Sequence, residues 1–320
     1  MPAVTGQPKR GAMSSASPTS RIGLVQALIA CVFWGLMPIY FKLLQSVGAL
    51  EVVAHRIIWS VPLLLVILYF RKNLVGLSAA LADSKLRWAM LASSCLIAAN
   101  WLIYVWAVHE NHILAASLGY FISPLLSVFL GRLFLKEQMS RNKWIAIAIA
   151  TAGVSVLAVQ ALDTLWISLA LAASWGLYGL VRKIADIGPV VGLTAETGIL
   201  FLPFTLFLVW LTLGTSPAAT GVHFGDKLMI DLLLVGGSVV TAIPLLLFAS
   251  AVKKMTLGAI GLLNYLAPTI QFLVGVFVYD ETLTPSHLIC FVLIWASLAL
   301  YSTDSYLTGK TARKAIAGQA

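Results

Sequence analysis

Charge is what this sequence has least of. Lys and Arg number 21 and Asp and Glu 12, together 10% of 320 residues. A soluble domain carries about 25% charged residues, so this chain has too few to cover its own surface in water. Cysteine is scarce as well. Cys31, Cys95 and Cys290 each sit inside an apolar run, which excludes a disulfide framework and a cysteine metal cluster. A Gly-rich phosphate loop ending in Lys-Ser or Lys-Thr is missing, which argues against an ATP-driven pump within the chain. The run His109-Glu110-Asn111-His112 spaces its histidines three apart rather than the four of a zinc-binding helix. No enzyme, no metal and no cofactor is therefore expected.

What is present is apolar. Residues of the AVILMFWYC set make up 60% of the chain, and the mean hydropathy is +0.95. The solvent for most of this protein is lipid. Residues 1–21, rich in Pro, Ser, Ala and Gly, read as a disordered tail. The stretch between that tail and a second one at 304–320 holds about ten helices, at about 28 residues per span with its loop. Spans are predicted at 22–41, 50–70, 87–108, 113–135, 143–161, 163–183, 190–213, 228–252, 257–279 and 286–303. With the N-terminus inside, eighteen of the 21 Lys and Arg fall in cytoplasmic segments, and only Lys42, Arg56 and Lys227 do not. The net charge of +9 is thus a topology signal, with both termini cytoplasmic and no nucleic-acid partner.

Self-comparison finds a duplication. A shift of 141 residues lays Trp34-Gly35-Leu36 on Trp175-Gly176-Leu177, Lys42 on Lys183, Ala54 on Ala195 and Pro62 on Pro203. A shift of 144 lays Ala115 on Ala259, Pro124 on Pro268, Gly131 on Gly275 and Glu137 on Glu281. The expected fold is an all-α polytopic membrane protein, with repeats at 22–161 and 163–303. Five spans per repeat is an odd number, so the second repeat is inverted relative to the first. Inverted repeats supply two similar arrangements around a site near the midplane, the basis of alternating access.

Polar groups at membrane depth are costly, so each needs a reason. His55 and Glu196 occupy equivalent positions, a turn or two into the second and seventh spans. Glu196 is a candidate for proton exchange during a transport cycle; the competing reading makes both residues helix-entrance groups solvated by headgroup water, with Arg56 snorkelling outward. Inversion puts the pair in opposite leaflets, so no His55–Glu196 bond is expected. Asn100, Trp101, Tyr104, Tyr120, Thr241, Asn264, Tyr265 and Gln271, with Trp59, are candidates to line a central cavity. Aromatics with a few amides and hydroxyls suit an amphipathic organic solute better than a bare ion. Ala115, Gly119, Ser123, Ser127 and Gly131 recur at every fourth position, a stripe for close helix packing against the other half. Pro124 and Pro268 are read as matching mid-helix kinks, each freeing a carbonyl.

The Trp-Gly pairs Trp34-Gly35 and Trp175-Gly176, together with Pro124 and Pro268 each followed by a Glu about 13 residues later, resemble the EamA family of the drug/metabolite transporter superfamily. The runs His55-Arg56-Ile57-Ile58-Trp59-Ser60, Asn100-Trp101-Leu102, Ala116-Ser117-Leu118-Gly119-Tyr120 and Tyr178-Gly179-Leu180-Val181-Arg182-Lys183 are similar to its RarD branch. The resemblance implies a bacterial inner-membrane permease, a monomer or homodimer, moving small organic solutes between its halves. Proteins of this branch are often labelled chloramphenicol-sensitive, and the label fixes no substrate. Glu137 and Glu281 belong to the family pattern and are expected to anchor the following loop through backbone N–H groups. A passive channel or facilitator shares this topology, and a lipid-handling or intramembrane enzyme is the remaining alternative.

Overall fold

The computed structural model describes residues 21–135, 140–160, 162–185, 187–213, 223–252, 254 and 263–317. Among them are eleven α-helices: α1 (Arg21–Lys42), α2 (Ala49–Phe70), α3 (Leu74–Ala82), α4 (Ser84–His109), α5 (Ile113–Leu135), α6 (Arg141–Gln160), α7 (Leu162–Ala185), α8 (Pro189–Thr212), α9 (Leu228–Val252), α10 (Leu266–Phe277) and α11 (Pro285–Ala317). Eight of them, all but α3, α6 and α10, contain segments long and apolar enough to cross a membrane. This is an all-α multi-pass membrane protein.

Local chemistry sets the helix ends. Asp83 caps α4, its carboxylate accepting from the backbone N–H of Lys85 at 2.8 Å and Leu86 at 3.0 Å. Pro189 opens α8, where its missing N–H costs nothing. The predicted spans at 22–41, 50–70, 87–108, 113–135, 163–183, 190–213, 228–252 and 286–303 fall on the eight helices of span length. The span predicted at 143–161 falls on α6, which is not one of the eight, and of that at 257–279 only the 12-residue α10 is seen, residues 257–262 lying outside the described residues. Two further differences concern α3 and α11. Helix α3 is an addition, because nine residues between two polar turns are too short to register as a span. Helix α11 runs past the expected end at 303 to Ala317.

The main interfaces are unchanged when the two halves are exchanged. Helix α1 packs on α9 and α10, and its counterpart α7 packs on α4 and α5. Helix α2 packs on α9, and its counterpart α8 on α4. The pairs α2–α8, α5–α10 and α6–α11 each join a helix to its own counterpart. The correspondence reaches single residues. A Cβ on Gly35 would stand 2.5 Å from Ile270, and one on Gly176 would stand 3.3 Å from Leu126, the residue 144 positions before Ile270.

Small residues and inward hydroxyls make these interfaces. Gly119 brings α5 onto α7, where an added Cβ would lie 2.8 Å from the Ser168 carbonyl oxygen. Ser168 in turn donates to the Ala115 carbonyl at 2.7 Å. The predicted stripe therefore meets α7 of the other half through Ala115 and Gly119, whereas Ser123 and Ser127 bond carbonyls of their own helix. Its second-half match, Ala259, lies outside the described residues. Ser117 reaches across to the Pro268 carbonyl at 2.7 Å, and Ser297 to that of Ala146 at 2.6 Å. Large apolar side chains such as Phe70, Leu202, Leu206 and Leu232 are exposed around the perimeter, as lipid contact requires.

The two matched prolines differ. Pro124 lies inside α5, as expected. Pro268 lies in the first turn of α10, just after a turn at Asn264–Tyr265, rather than in mid-helix. A proline there removes an N–H that has no intrahelical acceptor, whereas Pro124 removes one from the interior of α5.

Candidate functional site

Arg56 occupies the centre of the candidate site. Seven residues separate it from the start of α2, about 10 Å along a helix rising 1.5 Å per residue. It does not snorkel to the interface: the side chain is buried, with 4% of its surface exposed. The reason is the neighbouring helix. Gly236 and Gly237 let α9 close over this part of α1 and α2, so that a Cβ on either glycine would approach the Tyr40 hydroxyl at 3.1 and 3.8 Å. Tyr40 donates its hydroxyl to the Leu233 carbonyl of α9. The Arg56 Nε donates to Thr241 Oγ1 at 2.6 Å, and Thr241 passes its own proton to the Gly237 carbonyl at 2.7 Å. The guanidinium lies over the Trp101 ring at 4.1 Å and near that of Phe41 at 5.7 Å, within cation–π range.

Around this cation stand the phenols of Tyr120, Tyr104 and Tyr40. Tyr120 donates to Asn100 Oδ1 at 3.1 Å, and Asn100 Nδ2 donates to Ser174 Oγ at 2.9 Å and to the Leu171 carbonyl at 3.2 Å. This chain of bonds fixes α4, α5 and α7 to one another. Arg56, Asn100, Trp101, Tyr104, Tyr120 and Thr241 thus form one cluster, and Phe41 and Tyr40 belong to it although sequence reasoning did not single them out.

A second cluster surrounds His55. Trp59 Nε1 faces His55 Nδ1 at 3.3 Å, and the imidazole stacks on Phe224 at 4.8 Å between centroids. Glu51, buried to 3% exposure, lies 4.0 Å from His55 Nε2. Its carboxylate accepts the His223 backbone N–H at 2.8 Å and meets His223 Nδ1 at 3.0 Å. Glu51 was not foreseen, although its place one turn before His55 was a usable signal.

Glu196 heads a third cluster in α8 and is not solvated by headgroup water, since its exposure is 0%. Arg182 pairs with it at 3.2 Å, Ser93 donates to it at 2.7 Å and Tyr178 at 3.1 Å. His55 and Glu196 have separate partners, consistent with the expectation of no bond between them. Arg182 had been counted only as a marker of topology.

The remaining residues scatter. Gln271 is buried and donates to the Trp34 carbonyl at 2.9 Å, joining α10 to α1. Asn264 is exposed at the turn before α10, and Tyr265 is half-buried beside it. Trp34 meets Phe248 at a tilt, and Trp175 contacts both Tyr120 and Tyr178. Glu281 accepts the backbone N–H groups of Ile113 at 2.6 Å and Leu114 at 2.8 Å. It therefore caps the start of α5 in the other half rather than anchoring its own loop. Burial pushes its carboxyl above the usual range, while those two amides and Lys42 pull the other way. Glu137 lies outside the described residues.

Eight helices long and apolar enough to cross a bilayer, with buried polar clusters between them, define a multi-pass membrane protein. Residues 21–159 and 164–303 each match the EamA-like transporter family, and the chain belongs to that family. It is 38% identical over 296 residues to the protein RarD of Streptomyces exfoliatus, covering 92% of each chain. An uncharacterized transporter of Vibrio cholerae is 37% identical over 293 residues, covering 92% of this chain and 96% of that one. A crystal structure of a protein 18% identical in sequence superposes with a TM-score of 0.56, covering 89% of this chain and 98% of that one, a likeness of fold alone.

Proposed function

We propose that the protein is a secondary transporter that moves a small organic solute across a bacterial cytoplasmic membrane by alternating access. Ten spans form two inverted repeats, 22–161 and 163–303, with both termini cytoplasmic. The solute site is the Arg56 cluster, between α2, α4, α5 and α9. The observation that carries this reading is the exchange of helix partners: α1 with α9 and α10 corresponds to α7 with α4 and α5. Such a frame has two arrangements of similar energy, which differ in the half that opens. Glu51 with His223, in the first turn of α2, and Glu196 with Arg182, two turns into its counterpart α8, are polar clusters that inversion assigns to opposite membrane faces. Each is then in position to hold one face closed.

Energy for uphill movement comes from an ion gradient or from exchange of solutes. The test is counterflow in proteoliposomes, using a solute chosen from those that raise the melting temperature of the purified protein. A transporter accumulates labelled solute transiently when unlabelled solute is trapped inside. A channel or facilitator without a closed intermediate equilibrates the label with no overshoot, and that result would overturn alternating access.

A further inference from the structure

We infer that Arg56 receives the carboxylate of a small, flat, singly charged organic anion, so that the solute of the transport reading above, on which this inference rests, is an organic acid. The guanidinium is buried, yet its Nη1 has no hydrogen-bond partner among the described residues. The buried hydroxyl of neighbouring Tyr104 has none either. Two open donors in one buried cluster are a large cost unless something accepts from them. Nearby acids do not fill the role, since Glu196 is paired with Arg182 and Glu51 with His223. Among the described residues, the electrostatic neighbours of Arg56 are the phenols of Tyr120, Tyr104 and Tyr40.

The fold does not demand a cation at this place. The 141-residue shift maps Arg56 onto Thr197, whose hydroxyl is satisfied by the Leu193 carbonyl of its own helix at 2.8 Å. The same frame is therefore built in the second half without a charge there. One unbalanced positive charge calls for one negative charge, which favours a monocarboxylate over a doubly charged phosphate. A guanidinium presents N–H groups in the plane that a carboxylate fits. Rings surround the guanidinium: Trp101 at 4.1 Å, Phe41 at 5.7 Å, and Tyr104 edge-on to Phe41 at 6.0 Å and to Tyr120 at 5.6 Å. Rings of this kind take a planar apolar body behind the carboxylate.

The test compares phenylacetate and indole-3-acetate with their primary amides and with 2-phenylethylamine on the purified, full-length protein. Affinity is read from thermal shift and tryptophan fluorescence. The acids are expected to bind about tenfold or more tighter than the matching amides, as expected for charge-assisted hydrogen bonds. In Arg56→Gln that preference disappears while amide binding persists. Tyr104→Phe weakens the acids several-fold and covers the case in which Arg56→Gln does not fold. Equal binding of acid and amide, or no binding of any acid at millimolar concentration, would overturn the inference. Flux separates the two readings. Counterflow of neutral solutes with no acid preference removes the carboxylate site and leaves the transporter. Acid-selective binding without counterflow of any acid leaves the site and removes the transporter.

Discussion

The two halves share a frame and differ in what they bury within it. At Gly35 and Gly176 the same close approach is made twice, to residues that are themselves counterparts. At the next level the chemistry diverges. Phe41 and Arg182 are counterparts, as are His55 and Glu196, and Arg56 and Thr197. The second half sets an arginine against a glutamate and ends neutral. The first sets an arginine against two aromatic rings and keeps its charge. Backbone packing is inherited by both copies because changing it disturbs every neighbour, whereas a side chain in a polar node changes with only a few partners. A duplicated membrane protein can thus keep a symmetric frame around an asymmetric set of buried side chains.

The sharpest break between the halves is the cost of losing each arginine. Arg182→Gln strands the buried Glu196 carboxylate and is expected to cost about 3–5 kcal/mol. Arg56→Gln strands no charge: the lost Thr241 hydrogen bond and ring contacts are offset by removal of an unpaired buried cation, so the expected net cost in the solute-free protein is about 1 kcal/mol or less. Denaturant unfolding of both variants in detergent measures the difference, and the double variant Arg182→Gln/Glu196→Gln should recover most of the larger loss. Equal losses at the two arginines would remove the distinction.

A smaller contrast tests the shared frame. Gly35→Ala forces a methyl within 2.5 Å of Ile270 and should cost about 1–3 kcal/mol, because overpacking shifts the backbone. Gly176→Ala meets Leu126 at 3.3 Å, where a leucine tip gives way, and should cost less than Gly35→Ala in the same melt. Glu281→Ala is expected to cost about 1 kcal/mol from the lost cap on α5, with solute selectivity unchanged. Altered selectivity at wild-type stability would place Glu281 in the solute path instead.

The helices were legible because apolar runs of span length have few alternatives in a bilayer, and the duplication was legible from repeated Trp-Gly and Pro-to-Glu spacings. The close packing of α5 through Ala115 and Gly119 was visible for the same reason, as small residues at every fourth position share one face. The clusters were only half visible. His55, Arg56 and Glu196 stood out as polar groups within apolar runs, but their partners did not. Glu51 in the first turn of a helix reads as an ordinary helix start, and Arg182 at the end of one reads as a cytoplasmic marker. Whether Arg56 turns outward or inward depends on how closely Gly236 and Gly237 bring α9, which no property of α2 encodes. Asn264 occupies the counterpart position to Tyr120, yet lies exposed because the chain turns before α10.

Inversion of the second half relative to the first is the claim on which alternating access rests, and labelling of matched positions tests it most directly. Ser46, in the turn after α1, maps onto Ile187, in the turn after α7. With the native cysteines Cys31, Cys95 and Cys290 replaced by serine or alanine, single cysteines at Ser46 and Ile187 are exposed to a membrane-impermeant thiol reagent in whole cells and in permeabilised ones. The Ser46→Cys protein should react in whole cells and the Ile187→Cys protein only after permeabilisation. Reaction of both from the same side would contradict the inverted arrangement.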